Sequence, residues 1–183
     1  YNTYSFFSLY ANVDGFNCSQ EVIPVSERPE IDRWILSELN SLIKGVDNAL
    51  ADYEPTKAGR LIDAFVCDDL SNRYVRLNRK RFWGKEMEKD KLAAYETLYT
   101  CLETVAKLLA PFSPFYADQL YIDLTRATGR AEAESVHLAK FPVADENLID
   151  SDLEARMRMA QKLTSMVLAL RRKVNIKVRQ PLQ

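Results

Sequence analysis

The chain has 183 residues, enough for one domain with a sizeable core or one domain with an appendage. Its 25 Lys and Arg nearly cancel 26 Asp and Glu, giving a net charge of -1, so attraction of an anion to the whole molecule is excluded and nucleic-acid binding would need local patches. With 47% apolar residues, 28% charged residues and five glycines, the composition describes a globular helical chain rather than a glycine-rich nucleotide-binding α/β fold.

Three widely spaced cysteines, Cys18, Cys67 and Cys101, make neither a disulfide framework nor a zinc site and suit a reducing compartment. Cys67 and Cys101 sit inside apolar helical patterns. No apolar run approaches the ~18 residues of a membrane span, and no leader opens the sequence, so a cytoplasmic location is expected. The chain starts at Tyr1 without methionine and stops at Gln183 just after Arg179-Gln180-Pro181-Leu182, which suggests a piece of a longer protein.

Taken in order, Tyr1 to Val13 carries Tyr1, Tyr4, Phe6, Phe7 and Tyr10 at helical spacings, read as rings that pack a short helix onto the rest. Asp14 to Glu27 reads as a loop. Pro29 opens a helix to about Tyr53, with Ile31, Ile35, Leu39, Leu42, Val46, Leu50 and Tyr53 as its apolar stripe. Arg33, Ser37, Asn40, Lys44 and Asp47 line its opposite, polar face. Pro55 opens a second long helix, joined by a turn short enough to make the two antiparallel. Leu92 to Ala110 forms a third, with Tyr95, Leu98, Tyr99, Leu102, Val105, Ala106 and Leu109 inward. Pro111 ends it. Ser113 caps a fourth, from Pro114 to about Arg126, and Thr128 to Pro142 is a loop with at most a brief extended piece at Val136-His137-Leu138. Asp150 or Ser151 caps a fifth, Leu153 to about Val174, with Met159, Leu163, Met166, Val167, Leu170 and Val174 buried.

The pivotal stretch is Ser71 to Trp83, in the second helix. Counting from Ala58, one face carries Leu61, Ile62 and Phe65, then Asp69, Asn72, Arg76 and Arg79. Five of the nine residues from Arg73 to Arg81 are Lys or Arg, with Tyr74 among them and Phe82 and Trp83 following. Guanidinium groups neutralise phosphate and flat rings stack on unpaired bases, so an RNA surface is one reading. The other is a polar network of Asp68 and Asp69 with Asn72, Arg73 and Arg76. A second basic patch runs from Arg171 to Arg179, and its Arg171, Arg172 and Lys173 also suit the negative end of a helix dipole.

No Walker loop, GxGxxG, HExxH, CxxC or serine elbow occurs. The single histidine, His137, has no metal-ligand spacing around it, and the acid pairs Asp68/Asp69 and Asp150/Asp152 lack a histidine neighbour. No catalytic residue and no metal site is expected. The chain is read as one that binds or positions.

Several phrases together carry a resemblance. They are Asn2 to Phe7 with Tyr10-Ala11-Asn12, Asp32 to Ser37, Ser71 to Trp83, Leu109 to Phe115, Ser135 to Leu138 with Phe141-Pro142, and Val178 to Leu182. In this order they resemble the anticodon-binding region of class I aminoacyl-tRNA synthetases, over essentially the whole chain. Arg33 to Ser37 and Leu109 to Phe112 are common to the isoleucyl, valyl and leucyl groups, whereas Arg79 to Trp83 and Val178 to Leu182 point to the isoleucyl group. Arg73 departs from an aromatic residue in many relatives, and Leu77-Asn78 from a more basic pair.

The resemblance implies an all-α antiparallel bundle of about five helices. Residues 1–28 would be a connecting segment packed on it and 29–183 the bundle, with 28–174 as core and 175–183 starting a link to a C-terminal part. It also implies a grip on the anticodon stem-loop of an isoleucine tRNA, on behalf of catalytic and C-terminal domains elsewhere in the parent. ATP and Mg would belong to that catalytic domain, with no cofactor in this chain and no DNA or membrane partner. The contact candidates are Arg33, Trp34, Ser37, Asn40 and Lys44; Asn72, Arg76, Arg79, Lys80, Arg81 and Trp83; and Arg171, Arg172 and Lys173. A valyl or leucyl assignment, or a helical bundle that docks a protein instead of RNA, are the alternatives.

Overall fold

In a computed structural model, residues 1–17, 19–84, 88–130 and 132–181 are described. Cys18, Lys85 and Leu182 lie outside them. The chain divides into two compact units, Tyr1–Ile149 and Asp150–Gln183. Among the described residues every regular element is helical: α1 (Asn2–Asp14), α2 (Glu30–Ala51), α3 (Pro55–Ala64), a π-helical stretch (Phe65–Val75), α4 (Arg76–Phe82), α5 (Lys89–Leu109), α6 (Pro114–Thr128) and α7 (Ser151–Lys173). Short 3-10 turns occur at Val25–Glu27 and Glu146–Leu148. The all-α bundle expected from the sequence is the fold observed.

In the first unit, α2 and α5 form the centre. α2 packs against α3, the π stretch and α5, while α5 also meets α1, α4 and α6. An element with neighbours on several sides is buried on more than one face. Accordingly Trp34, Leu36, Ser37, Asn40 and Ile43 of α2 are buried along with the predicted Ile35, Leu39, Leu42 and Val46. Trp34 is wholly enclosed at 0% exposure. Of the face of α2 read as polar and outward, Ser37 and Asn40 are therefore interior, while Arg33, Lys44 and Asp47 are exposed. On α5, Leu108 rather than Leu109 is buried, and the helix starts three residues before the expected Leu92, at Lys89.

Helix ends explain several local outcomes. Pro29 occupies the N-cap of α2 rather than its first turn, and Pro55 opens α3 as predicted. Gly15 and Gly129 adopt left-handed φ of 67° and 71° and close α1 and α6 with Schellman turns, in which Phe16 and Arg130 donate N–H to Ala11 and Thr125 at 2.9 Å. Both turns deliver the next residue into one aromatic cluster. Phe16 stacks on Tyr95 at 5.2 Å, and the Arg130 guanidinium lies over Phe16 and Tyr99 while binding buried Glu96. Phe7 shares this core, whereas Tyr1 stays 81% exposed.

Tyr53 corrects the expected stripe. It takes the same left-handed C-terminal position after α2, with φ 57°, while Glu54 N–H reaches Ala49 O at 2.8 Å. That turn throws the ring outward, leaving it 92% exposed. Ser113 stands at the N-cap of α6, but its side chain accepts no capping hydrogen bond; Asp150 does cap α7, accepting from Leu153 N–H at 2.9 Å. Val136 to Leu138 form a turn rather than an extended piece, and exposed His137 donates its backbone N–H to Ser135 Oγ.

The second unit holds α7 and the tail that follows it. Met159, Leu163, Met166, Val167, Leu170 and Val174 are all more than half exposed, contrary to the buried stripe expected for this helix. A single helix with a folded-back tail has no second face within its own unit to cover such a stripe.

Candidate nucleic-acid interface

The geometry of the pivotal stretch is set by the π-helical turns. A π turn takes up an extra residue relative to an α turn and so rotates every side chain beyond it. The buried positions run from Ala58 and Ile62 in α3 to Phe65 at the start of the π stretch and then jump five residues to Leu70, followed by Tyr74, Asn78 and Phe82. The even count from Ala58 to Arg79 therefore does not describe one face. Its first members point inward, Leu61 lies at the edge with 36% exposure, and Asn72, Arg76 and Arg79 emerge on the opposite, solvent side. Cys67 is likewise turned out to solvent, while Cys101 is fully buried.

The result is a surface strip of Asn72, Arg76, Arg79 and Lys80, ending at Trp83. All five are exposed, and Arg76, Arg79 and Lys80 make no ion pair among the described residues. Unpaired guanidinium and ammonium groups one turn apart are suited to successive phosphates. Trp83, 56% exposed, donates its indole N–H to Tyr10 Oη at 2.9 Å. The hydrogen bond fixes the ring by one edge and leaves much of it open to a stacking partner. Tyr10 was read from the sequence only as a packing ring, and only its position across the fold reveals this role. Of the proposed acidic network, Asp69 pairs with Arg73 at 2.8 Å, and Asp68 is exposed.

Arg81 behaves differently from its neighbours. Its side chain is 14% exposed and grips Asp32, which is 0% exposed, through Nη1 to Oδ1 at 2.6 Å and Nη2 to Oδ2 at 2.8 Å. Tyr74, also fully buried, donates its hydroxyl to the same Asp32 Oδ1 at 2.8 Å. Burial, and then the Asp32 charge, push the Tyr74 phenol well above its usual pKa, so it stays a neutral donor. For Arg81, burial works against the charged form, but the hydrogen bond and charge of Asp32, joined by Asp90, outweigh it and raise the guanidinium pKa. The Arg81 guanidinium therefore stays charged.

The remaining candidates are dispersed. Trp34 and Ser37 lie in the core and present no surface, because α2 is central rather than peripheral. Asn40 is also buried; its amide donates to Leu36 O and accepts from Asp145 N–H, both at 2.8 Å. Lys44 pairs with Glu146 at 2.7 Å on the surface. These two hold the returning 145–148 segment onto α2. Arg33 is exposed beside this core face.

In the second unit, Arg172 and Lys173 are exposed, but Arg171 donates to Lys177 O and Gln180 O at 2.8 and 3.0 Å. Asn175, at φ 58°, completes a Schellman turn in which Ile176 N–H meets Arg171 O. Arg171 thus secures the tail. Among the described residues no group of three or more His, Cys, Asp or Glu side chains could hold a metal ion, and no helix is long and apolar enough to cross a membrane.

Residues 32–183 match the family described as the anticodon-binding domain of tRNA ligase. The whole chain is 73% identical to part of the isoleucine–tRNA ligase of Bacteroides thetaiotaomicron, covering 16% of that protein. It is 64% identical, again over its full length, to 16% of the isoleucine–tRNA ligase of Porphyromonas gingivalis. With the isoleucine–tRNA ligase of Clostridium tetani the identity is 47% over 182 residues, 17% of that protein. The chain thus spans about a sixth of the length of the curated relatives it matches, and it belongs to the family of anticodon-binding domains of tRNA ligases.

Proposed function

We propose that this chain is the anticodon-binding part of an isoleucine–tRNA ligase and that the strip Asn72, Arg76, Arg79, Lys80 and Trp83 meets the anticodon stem-loop. The observation that carries this reading is the pairing of free cations with an exposed, edge-anchored indole on one solvent face. The cations supply affinity for the RNA backbone and the ring a platform for an unpaired base. Arg33 adds exposed positive charge in the first unit, and Arg172 and Lys173 add it in the second, whereas Trp34, Ser37, Asn40 and Arg171 act within the fold. ATP and Mg serve the catalytic domain of the parent, which acts in the cytoplasm, and the binding energy gathered here orients the tRNA for aminoacylation there.

The test is a salt series of binding between the parent ligase and transcripts of an isoleucine tRNA, a valine tRNA and a scrambled stem-loop. The isoleucine transcript should bind tightest. In the variant R79Q/K80Q the slope of log affinity against log salt should shrink by about 1.5, since each lost phosphate contact removes roughly 0.7 to 0.9. An unchanged slope refutes the strip as a phosphate site.

A further inference from the structure

Three consecutive cations, Arg79, Lys80 and Arg81, look equivalent in the sequence, yet only two of them are available to a ligand. A guanidinium carries five N–H donors. In Arg81 all five are taken: Nη1 by Asp32 Oδ1 at 2.6 Å and Asn78 Oδ1 at 3.1 Å, Nη2 by Asp32 Oδ2 and Asp90 O, each at 2.8 Å, and Nε by Asp90 Oδ2 at 2.9 Å. None remains for a phosphate.

The acceptors come from separate elements. Asp32 lies in the first turn of α2 and Asp90 in the first turn of α5, while Arg81 lies in the last turn of α4. Two carboxylates at helix N-termini and a cation at a C-terminus each suit the local dipole, so three helix ends converge on one ion cluster. Tyr74, from the π stretch, orients Asp32 from beneath. On the far side of the α4 to α5 connection, buried Lys91 donates to Gly84 O at 2.7 Å and pairs with Asp14. The backbone on which Arg79, Lys80 and Trp83 stand is therefore tied to α2, α5 and the end of α1.

We propose that Arg81 is a positioning residue, not an RNA contact: the Asp32, Tyr74, Arg81 and Asp90 cluster fixes the end of α4, so that Arg79, Lys80 and the Trp83 indole meet tRNA as one pre-formed surface. Holding these groups in place before binding removes an ordering cost that a loose helix end would incur at binding. This inference rests on the interface proposed above.

Asp32→Asn separates the two roles by sign. It deletes a negative charge behind a cationic surface and releases Arg81, so electrostatics alone would tighten tRNA binding. Loss of positioning weakens it. In the parent ligase, D32N and R81Q should each raise the tRNA Kd and the tRNA KM about fivefold or more, a change of roughly 1 kcal/mol. Their kcat, their salt slope and tRNA-independent pyrophosphate exchange should stay as in the unmodified enzyme.

Tyr74→Phe, which alters no charge, should shift Kd the same way by a smaller factor, and it carries the test if either charge variant fails to fold. Tighter binding by D32N, a reduced slope in R81Q, or an unchanged Kd in the variants that fold overturns the proposal. The R79Q/K80Q variant reports on the interface separately. If its slope is unchanged, the interface itself falls; if its slope drops, the clamp is judged on its own variants.

Discussion

Replacing Arg130 by Met should be among the most damaging single changes in the first unit. Arg130 binds Glu96 through both terminal nitrogens, and the side chains are 17% and 3% exposed. The same guanidinium lies 5.2 Å from the Phe16 ring centre and 5.0 Å from that of Tyr99. Removing it strands a carboxylate in the core, at about 3 to 5 kcal/mol. Two lost ring contacts add roughly 0.5 to 1 kcal/mol each. In a unit of this size each kcal/mol lowers the melting temperature by about 2 to 4 °C, so a fall on the order of 10 °C or more is expected. Urea titration and thermal melting followed by circular dichroism would measure it. The double variant E96Q/R130M removes the stranded charge and should recover most of the loss. A loss below about 1 kcal/mol in R130M, or no recovery in the double variant, would refute the account of a buried ion pair whose cost lies in separating its partners.

Two further outcomes follow from the exposed aromatic residues. Trp83→Ala should weaken anticodon stem-loop binding by about 1 to 3 kcal/mol per stacked base while changing stability little, and Trp83→Phe should keep part of the affinity; equal binding by all three proteins would remove the ring from the interface. Tyr53→Gly should stabilise the first unit by up to about 1 kcal/mol, because glycine has no β-carbon to strain at φ 57°; a clear destabilisation in a urea titration would show that the ring makes a contact its 92% exposure does not suggest.

The sequence was most informative where a single helix decides the outcome. Proline and aspartate marked the start of α3 and the cap of α7, and the apolar spacing of α2 identified Ile35, Leu39, Leu42 and Val46 as core. Phrases spread over the chain were enough to show the family resemblance, since they record both fold and surface. Periodicity could not show that α2 has neighbours on two sides, which turned Ser37 and Asn40 from expected surface into interior. Nor could it place Tyr10 against Trp83, 73 positions away.

Composition, helix starts and the all-α class were thus determined by local chemistry: which residues tolerate a helix, which end it, and which recur every three or four positions. The face presented by Asn72, Arg76 and Arg79 was decided only in three dimensions, because the π turns between Phe65 and Val75 shift the phase by one residue that no local preference announces. The division of labour within Arg79, Lys80 and Arg81 was decided there too. A cation is free or committed according to whether a carboxylate from another helix reaches it, and Asp32 lies 49 positions from Arg81 along the chain. Side-chain identity sets what a residue can bind; the packing of α2, α4 and α5 sets which partner it meets first.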